Sequence, residues 1–224
     1  KKIKSTYGDI VEIMTGNVAN PAAYSFYADA GIDWMRATIG SGSRCTSSAN
    51  VSIHYGTATL LDQLNEERKA YAHSHNGNAP TKIIADGGIG WFDDIQKSLA
   101  LGADYVMIGS MLAAFDESCA PWEKNEETGK VTRLYYGMST KKAQKLMNTA
   151  AQNPIPEDKL NLKTSEGTFK HLEPQGKISK WTDNLQSYIR STMSYCDCRT
   201  LEEFTSGKVK VITKSPATTN AINK

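Results

Sequence analysis

The sequence has no long apolar run, no excess of one charge and few cysteines. No apolar stretch approaches the ~18 residues that a membrane helix needs, and the formal net charge of +2 is close to neutrality. A basic surface for nucleic acid or an anionic membrane is therefore not indicated. We expect neither a nucleic acid nor a membrane as a partner.

Cysteine spacing argues against both a disulfide framework and a metal site. Cys45, Cys119, Cys196 and Cys198 are irregularly spaced in a chain of 224 residues, which is typical of a reducing compartment such as the cytoplasm. Cys196 and Cys198 have no second pair or histidine nearby, so they do not indicate zinc. The histidines show no ligand spacing with acidic residues or cysteine.

The remaining composition is that of an ordered domain, with 39% hydrophobic and 22% charged residues. Strand-like and helix-like segments alternate over residues 1–116, which predicts an α/β fold with a parallel sheet. Each strand-like run ends in small or glycine-rich residues, and parallel sheets bind ligands at those carboxyl ends. Strands are predicted at 11–15, 33–39, 82–85 and 104–108, and helices at 20–30, 57–72, 92–101 and from Met111 onwards.

After residue 116 the alternation stops. Residues 117–176 are expected to form a hairpin at 121–136, a helix at 141–151 and a long mobile flap segment at 152–170. Residues 177–213 are expected to close the fold. Their predicted elements are a helix at 177–195, a short helix at 200–204 and a strand at 209–212, before a frayed tail at 214–224.

Cys45 is the first candidate for chemistry. It lies in a loop directly after a strand, where Gly40 and Gly42 permit the backbone turns that a mobile nucleophile loop needs. Arg44 precedes it and could favour the thiolate. Position alone leaves a buried structural cysteine as the alternative.

Two glycine turns are candidates for binding a phosphorylated sugar. Asp86 ends the third strand and is followed by Gly87 and Gly88, so a carboxylate could bind sugar hydroxyls while glycine N–H groups approach a phosphate. Gly109 and Ser110 follow one strand–helix unit later, and both turns are expected to precede helices. Ordinary turn glycines are the alternative.

The ordered set of motifs resembles one family, that of IMP dehydrogenase and GMP reductase. No single motif is specific, but their order is, and the resemblance extends over residues 3–213. The motifs are Gly16-Asn17-Val18, Gly40-Ser-Gly-Ser-Arg-Cys-Thr46, Ala85-Asp-Gly-Gly-Ile89, Gly102-Ala-Asp-Tyr-Val-Met-Ile-Gly-Ser-Met-Leu112, Tyr136-Gly-Met-Ser139, Ser165-Glu-Gly167 and Arg190-Ser-Thr-Met-Ser-Tyr195.

The resemblance implies a role for each matching position. Cys45 would attack C2 of a purine nucleotide, with Ser47 and Glu166 as further catalytic groups, although the position of Glu166 alone indicates a solvated loop acid. Asp86 would bind the ribose, and Asn17 would lie beside the cysteine. The 5′-phosphate would be bound by Ser43, Gly87, Gly88, Gly109, Ser110 and Tyr135, the base by Gly137, Met138, Ser139 and Glu166, and K⁺ by the carbonyls of Gly40, Gly42 and Cys45.

The family fold is a (β/α)8 TIM barrel, and the four strand–helix units resemble its last four. Residues 1–116 would form the C-terminal half of that barrel, followed by the flap and the C-terminal helix. The chain starts at Lys1 without a methionine, and the family's nicotinamide-contacting Asp lies upstream of these units. We therefore expect a piece that is incomplete for catalysis, self-associating through open strand edges, and a homotetramer for the whole protein.

The resemblance favours reductive deamination of GMP to IMP with NADPH. Residues 141–164 contain no arginine, whereas the family's dehydrogenases carry an Arg-Tyr pair in the flap, and Gly137-Met-Ser-Thr140 resembles the reductase motif. Ala85-Asp-Gly-Gly-Ile89 and Gly109-Ser110 are more dehydrogenase-like, so oxidation of IMP to XMP with NAD stays open. An inactive nucleotide-binding paralogue and an unrelated flavin- or phosphate-binding barrel enzyme stay open as well.

Overall fold

The expected alternation of strands and helices is present in the computed structural model, which describes residues 2–165 and 167–211. None of the helices in these ranges is long and apolar enough to cross a membrane. The elements in chain order are α1 (Lys2–Tyr7), β1 (Met14–Val18), α2 (Ala23–Asp29), β2 (Trp34–Ala37), α3 (Ser47–Val51), α4 (Thr57–Ser74), β3 (Lys82–Asp86), α5 (Phe92–Ala100), β4 (Tyr105–Met107), β5 (Trp122–Lys124), β6 (Val131–Tyr136), α6 (Lys141–Thr149), β7 (Phe169–Leu172), α7 (Ser179–Tyr195) and α8 (Leu201–Thr205).

The first four strands form one sheet in the order β1-β2-β3-β4. Every neighbouring pair is parallel, because each connection contains at least one helix that returns the chain to the same end of the sheet. All four carboxyl ends therefore lie at one edge. The predicted α/β fold with a parallel sheet is confirmed.

The main core lies between one face of this sheet and helices α2 and α4. Met35, Ala37, Ile83 and Ala85, which alternate along β2 and β3, are fully buried there. Fully burying an aliphatic side chain contributes about 1.5–3 kcal/mol, so this layer anchors the central strands. The helices contribute the buried side chains of Tyr24, Ala28, Leu60, Leu61 and Leu64.

The opposite face of the sheet carries large side chains that remain open to solvent. Trp34 and Tyr105 meet edge to face with ring centroids 5.0 Å apart, and Lys82 Nζ lies 4.6 Å from the centre of the Trp34 ring. Met14 and Tyr105 are 50% and 53% exposed. The sheet is thus covered by helices on one face and leaves an aromatic surface on the other.

A second cluster joins α5 to the two C-terminal helices. Ile95 and Leu99 of α5 and Phe204 of α8 are buried together. Phe92 stacks on Trp181 of α7 with ring centroids 5.5 Å apart. This packing explains why the predicted helices at 177–195 and 200–204 form, with slightly shifted ends.

A polar network connects α4 to the start of β4. Arg68 Nη1 donates to Asp104 Oδ2 at 2.8 Å, and Arg68 Nη2 donates to the carbonyl oxygen of Gly102 at 2.9 Å. Asp104 Oδ2 also accepts from the backbone amide of Ile83 at 2.7 Å. Because Asp104 directly precedes β4, these bonds fix the start of β4 against β3 and α4.

The predicted hairpin forms, and a strand begins within the last two residues of the segment 152–170 that was expected to be mobile. β5 and β6 are antiparallel, and β7 extends them into a second sheet, with Arg133 opposite Leu172 and Tyr136 opposite Phe169. Because Lys170 and His171 are polar, β7 lacks the apolar pattern by which a strand is predicted from sequence. Its pairing is set by contact with β6 and not by its own apolar pattern.

The helix expected from Met111 is wrong, because residues 110–114 form turns. The turns contain local bonds, such as that from the Leu112 amide to the carbonyl oxygen of Gly109 at 3.0 Å, and the end of the segment bonds to a distant part of the chain. The carbonyl oxygen of Ala114 accepts from the amide of Gln175 at 3.0 Å, and the amide of Asp116 donates to the carbonyl oxygen of Gly176 at 2.8 Å.

The strand expected at 209–212 is also wrong over its described part, residues 209–211. Val209 packs against the cluster of α5, α7 and α8, and a helical surface offers no strand edge for pairing. Ile212 and the tail 214–224 lie outside the described residues.

Tyr24 provides a test of the core. It is fully buried, and its hydroxyl donates to the carbonyl oxygen of Thr81 at 3.0 Å. Burial raises the pKa of Tyr24 to about 12, above the value of about 10 expected in the unfolded chain. The unfolded state therefore loses this proton first, and stability falls as pH rises from about 10 to 12.

We expect Tyr24→Phe to cost about 1 kcal/mol at neutral pH, through the lost hydrogen bond. The variant should also lose less stability than the wild type above pH 10, by about 1.4 kcal/mol per pH unit. Urea unfolding at pH 8, 10 and 11 measures both effects. Equal pH slopes for the two proteins would contradict this assignment.

Candidate functional site

The carboxyl edge of the parallel sheet brings the predicted site residues together. Asn17 lies at the end of β1, and the loop of residues 40–46 follows β2. Asp86 ends β3, and Gly109 lies after β4. The shared parallel register puts these four segments at one edge, as the sequence predicts.

Asp86 is the central polar group of this edge. Its Oδ2 accepts from Asn17 Nδ2 at 2.7 Å and from Arg36 Nε and Nη2 at 3.0 and 2.6 Å. All three bonds converge on one oxygen, which leaves the lone pairs of Oδ1 for another donor. Arg36 is not among the site residues predicted from the sequence. The only signal of its role is that a cation alternates with buried apolar residues along a strand.

Thr38 fixes the position of both Asn17 and Asp86. Its carbonyl oxygen accepts from Asn17 Nδ2 at 2.8 Å, and its hydroxyl donates to the carbonyl oxygen of Asp86. Thr38 is 1% exposed and has φ +84°, which is rare for a β-branched residue and costs about 1–3 kcal/mol. The surrounding hydrogen bonds hold this strained residue at the end of β2.

Cys45 presents its thiol at the surface of the same edge. The residue is exposed, so the alternative of a buried structural cysteine is wrong. The thiol donates to Ser47 Oγ at 3.2 Å, and the Ser47 amide donates to the sulfur at 3.4 Å. The thiol, a hydroxyl and an amide are therefore adjacent at the start of α3.

The segment after Glu166 lies against the cysteine loop. Cys45 and Gly167 form an antiparallel bridge, and the amide of Thr168 donates to the carbonyl oxygen of Arg44 at 2.9 Å. Glu166 itself lies outside the described residues. Its neighbour Gly167 brings this part of the chain next to Cys45, which the separation in sequence does not reveal.

The turn after β6 completes this side of the site. The Gly137 amide donates to the carbonyl oxygen of Thr168 at 3.2 Å, and a Cβ atom on Gly167 would lie 3.3 Å from Ser139 Oγ. Gly137 and Ser139 are thus brought to the cysteine loop. Met138 is 68% exposed and belongs to the same turn.

The predicted phosphate residues approach each other across the strand ends. A Cβ atom on Gly88 would lie 3.5 Å from Ser41 Cβ, and one on Gly109 would lie 2.4 Å from the hydroxyl oxygen of Tyr135. Burial raises the pKa of the Tyr135 phenol, while the nearby charge of Arg44 lowers it. The phenol therefore stays protonated at neutral pH and can donate a hydrogen bond.

The helix expected after the Gly109 turn is absent. Ser110 enters a series of turns, and residues 110–114 are not helical, so the Gly109 turn has no helix N-terminus behind it. Only the turn at Gly87 and Gly88 is followed by a helix, α5, which begins at Phe92. Anion binding at Gly109 would rest on turn amides and hydroxyls.

The loop between β2 and α3 contains the carbonyls expected to bind K⁺. Gly40 has φ +75°, and a Cβ atom there would lie 2.6 Å from Ser48 Cβ. The Gly42 carbonyl oxygen accepts from the Cys45 amide at 2.9 Å, which uses one of its two lone pairs. The tight turn is compatible with carbonyl ligation, whereas no cluster of three His, Cys, Asp or Glu that could hold a metal occurs in ranges 2–165 and 167–211.

Gly87 tests how closely the strand-end loops must pack. It has φ +92°, and a Cβ atom there would lie 2.9 Å from the backbone nitrogen of Gly42. Gly87→Ala should lower the free energy of unfolding by about 2 kcal/mol or more, because about 1–2 kcal/mol comes from the left-handed backbone alone and the cysteine loop must also shift.

Gly90→Ala is the matched control in the same turn. Its new Cβ atom would lie 3.8 Å from Asp94 Oδ2, an ordinary contact, so we expect a change within about 0.5 kcal/mol. Urea unfolding of both variants gives the comparison. A Gly87→Ala protein as stable as Gly90→Ala would show that the two loops are not in tight contact.

Comparisons with known proteins agree with this arrangement of motifs. Residues 1–222 match the IMP dehydrogenase / GMP reductase domain. Similar proteins include inosine-5′-monophosphate dehydrogenases of Tritrichomonas foetus, 29% identical over 93% of this chain and 40% of the relative, and of Mycobacterium bovis, 34% identical over 90% of this chain and 37% of the relative. A third, from Chlorobaculum tepidum, is 32% identical over 90% of this chain and 39% of the relative.

The chain therefore spans about 40% of the length of the curated relatives that it matches. The family match covers nearly all of the residues, including every motif at the carboxyl edge of the sheet. The chain belongs to the IMP dehydrogenase / GMP reductase family.

Proposed function

We propose that this chain carries the nucleotide site and the nucleophile of a nicotinamide-dependent oxidoreductase that deaminates GMP reductively to IMP. The observation that carries the proposal is the exposed Cys45 thiol, hydrogen-bonded to Ser47 Oγ at 3.2 Å, on the edge that also presents Asp86. A nucleophile beside a hydroxyl and a sugar-binding carboxylate is what covalent addition to a nucleotide base requires.

Residues at the ends of different strands bind different parts of the nucleotide. Asp86 binds the ribose hydroxyls, using the oxygen that its bonds to Asn17 and Arg36 leave unused. The base lies over the turn of Gly137, Met138 and Ser139, beside Asn17 and Cys45. The 5′-phosphate is bound by Ser43, Gly87, Gly88, Gly109, Ser110 and Tyr135.

The thiolate of Cys45 then adds to C2 of the purine. The C2 amino group takes up a proton and leaves as ammonia, so that a thioimidate joins Cys45 to the base. When bound, the reduced nicotinamide supplies a hydride to C2, and breaking the C2–S bond releases IMP and the thiolate. Covalent addition divides one difficult substitution into easier steps.

Ser47 and Glu166 would transfer the proton from the Cys45 thiol to the leaving amino group. The thiol already donates to Ser47 Oγ, so the hydroxyl can accept that proton and pass it towards the departing amine. Glu166 would complete this path, since its neighbour Gly167 pairs with Cys45. Cys45 is exposed, which allows a nicotinamide ring to approach C2 from the solvent side. K⁺ would be held by the carbonyls of Gly40, Gly42 and Cys45.

We further infer that the sheet β1–β4 is the C-terminal half of a (β/α)8 barrel, with residues 1–116 as that half and 117–176 as hairpin and flap. All four strands of this sheet are parallel, its edge strands β1 and β4 each pair on one side only among the described residues, and helices cover one face only. The open face with Trp34 and Tyr105 is where a barrel interior would be filled. A cytoplasmic homotetramer remains part of the proposal.

Oxidation of IMP to XMP with NAD is the second candidate. The relatives named above are all inosine-5′-monophosphate dehydrogenases, which favours this direction. The absence of arginine from residues 141–164 favours the reductase, because water activation would lack its usual base. A paralogue that binds nucleotides without turnover would keep Asp86 but not need Cys45.

Cys45→Ser should reduce turnover by about 10³-fold or more while leaving nucleotide affinity within about threefold, because the hydroxyl is a far weaker nucleophile than a thiolate. Cys119→Ser is the matched control, since Cys119 is also exposed but lies before the hairpin. Steady-state rates and calorimetric binding of GMP separate the two effects. A Cys45→Ser enzyme with more than a few per cent of the wild-type rate would rule out the nucleophile.

The direction is tested by nicotinamide absorbance at 340 nm with the full-length protein. We expect consumption of NADPH with GMP and little production of NADH from IMP and NAD, because the flap segment has no arginine to activate water. Faster NADH production from IMP than NADPH consumption with GMP would make the protein a dehydrogenase. No turnover in either assay, with purine nucleotide binding retained, would indicate the inactive paralogue.

A further inference from the structure

One cation at the carboxyl edge has no role in the chemistry described above. Arg44 lies between the phosphate-binding Ser43 and the nucleophile Cys45. Its Nη1 donates to the carbonyl oxygen of Phe169 at 3.4 Å, at the start of β7, and it bonds to no acidic side chain among the described residues. The charge of Arg44 therefore faces the junction between the cysteine loop and the antiparallel sheet.

The Nε atom of Arg44 is buried and has no hydrogen-bond partner within the described ranges. Burying an unpaired N–H of a charged group is unfavourable, and native proteins pair such groups with an acceptor. An unpaired guanidinium nitrogen next to a candidate phosphate site indicates an acceptor that comes with the ligand. A phosphate group supplies oxygens in the geometry that guanidinium binds best.

A cavity of about 370 Å³ lies beside Arg44. Ser43, Ser110, Arg44 and Lys170 are among the residues that line it, together with aromatic and aliphatic residues. The lining contains no carboxylate. Two hydroxyls and two cations without an opposing anion are a set of groups that binds a doubly charged oxyanion.

The antiparallel sheet places Lys170 at this cavity. Lys170 is opposite Tyr135 in the pairing of β6 with β7, and the Tyr135 hydroxyl lies against Gly109. The electrostatic influence of Arg44 on the Tyr135 phenol is consistent with a short distance between the two groups. The cations thus come from two separate segments that meet at the same turn.

We propose that Arg44 and Lys170 bind the 5′-phosphate of the nucleotide and make this site selective for phosphorylated over unphosphorylated purine nucleosides. This rests on the proposed function only for the identity of the nucleoside. The cationic cavity itself requires only a phosphate oxyanion. Hydroxyls and turn amides alone would bind a phosphate with less dependence on its charge.

The test compares GMP, guanosine and inorganic phosphate by calorimetric titration of the full-length protein and of Arg44→Met. Removing a charge-assisted hydrogen bond typically weakens binding about 10- to 100-fold. We expect that loss for GMP, and a change of less than about twofold for guanosine. Lys170→Met should act in the same direction with a smaller effect, since an ammonium makes single contacts.

Two further variants keep the outcome interpretable. Lys124→Met removes one exposed positive charge from β5 and should leave GMP affinity unchanged, which controls for net charge. Arg44→Lys restores a charge at the same position, so partial recovery of GMP affinity separates a role in binding from a loss of folding. Circular dichroism of each variant verifies the fold.

The results distinguish this proposal from the proposed function. If the wild type binds no purine nucleotide, the function fails, and the loss of inorganic phosphate binding in Arg44→Met still supports the cationic cavity. If Arg44→Met weakens GMP and guanosine equally, or leaves both GMP and inorganic phosphate binding unchanged, Arg44 is not a phosphate ligand and the inference is overturned.

Discussion

The carboxylate of Asp86 holds the carboxyl edge of the parallel sheet together. It receives hydrogen bonds from Asn17 of β1 and from Arg36 of β2, while its own backbone carbonyl accepts from Thr38. Three strands are thereby fixed in register at the end where the ligand would bind. Oδ2 joins the strands, and in the proposed function Oδ1 binds the ribose, so one side chain would have both a structural and a binding role.

Contacts from the antiparallel sheet complete the candidate site at the carboxyl edge of the parallel sheet. The antiparallel sheet returns the chain from the hairpin to the cysteine loop, where Gly167 pairs with Cys45 and Thr168 bonds to Arg44. The cysteine loop is thus held from two sides, by the parallel sheet and by the residues directly before β7. This support matters because a glycine-rich loop has little rigidity of its own.

Two locally unfavourable features lie at this edge of the sheet. Thr38 is held at φ +84°, and Arg44 Nε is buried without a partner. Each is unfavourable by itself and persists because the packed core on the other face of the sheet, around Met35 and Ile83, stabilises the strands. Such local costs are concentrated where ligands bind, and a bound nucleotide would relieve the second of them.

Periodicity and glycine placement in the sequence determined the parallel sheet and the strand-end position of Cys45 and Asp86, because these depend on local patterns of apolar residues. Tertiary structure alone decided the partners. Arg36 reaches Asp86, β7 pairs with β6, and the turns at 110–114 lead into backbone bonds of Ala114 with Gln175 and of Asp116 with Gly176. Hydrogen bonds between segments far apart in the chain leave no periodic signal. The sequence therefore predicted which polar residues lie at the site but not which of them bond to each other.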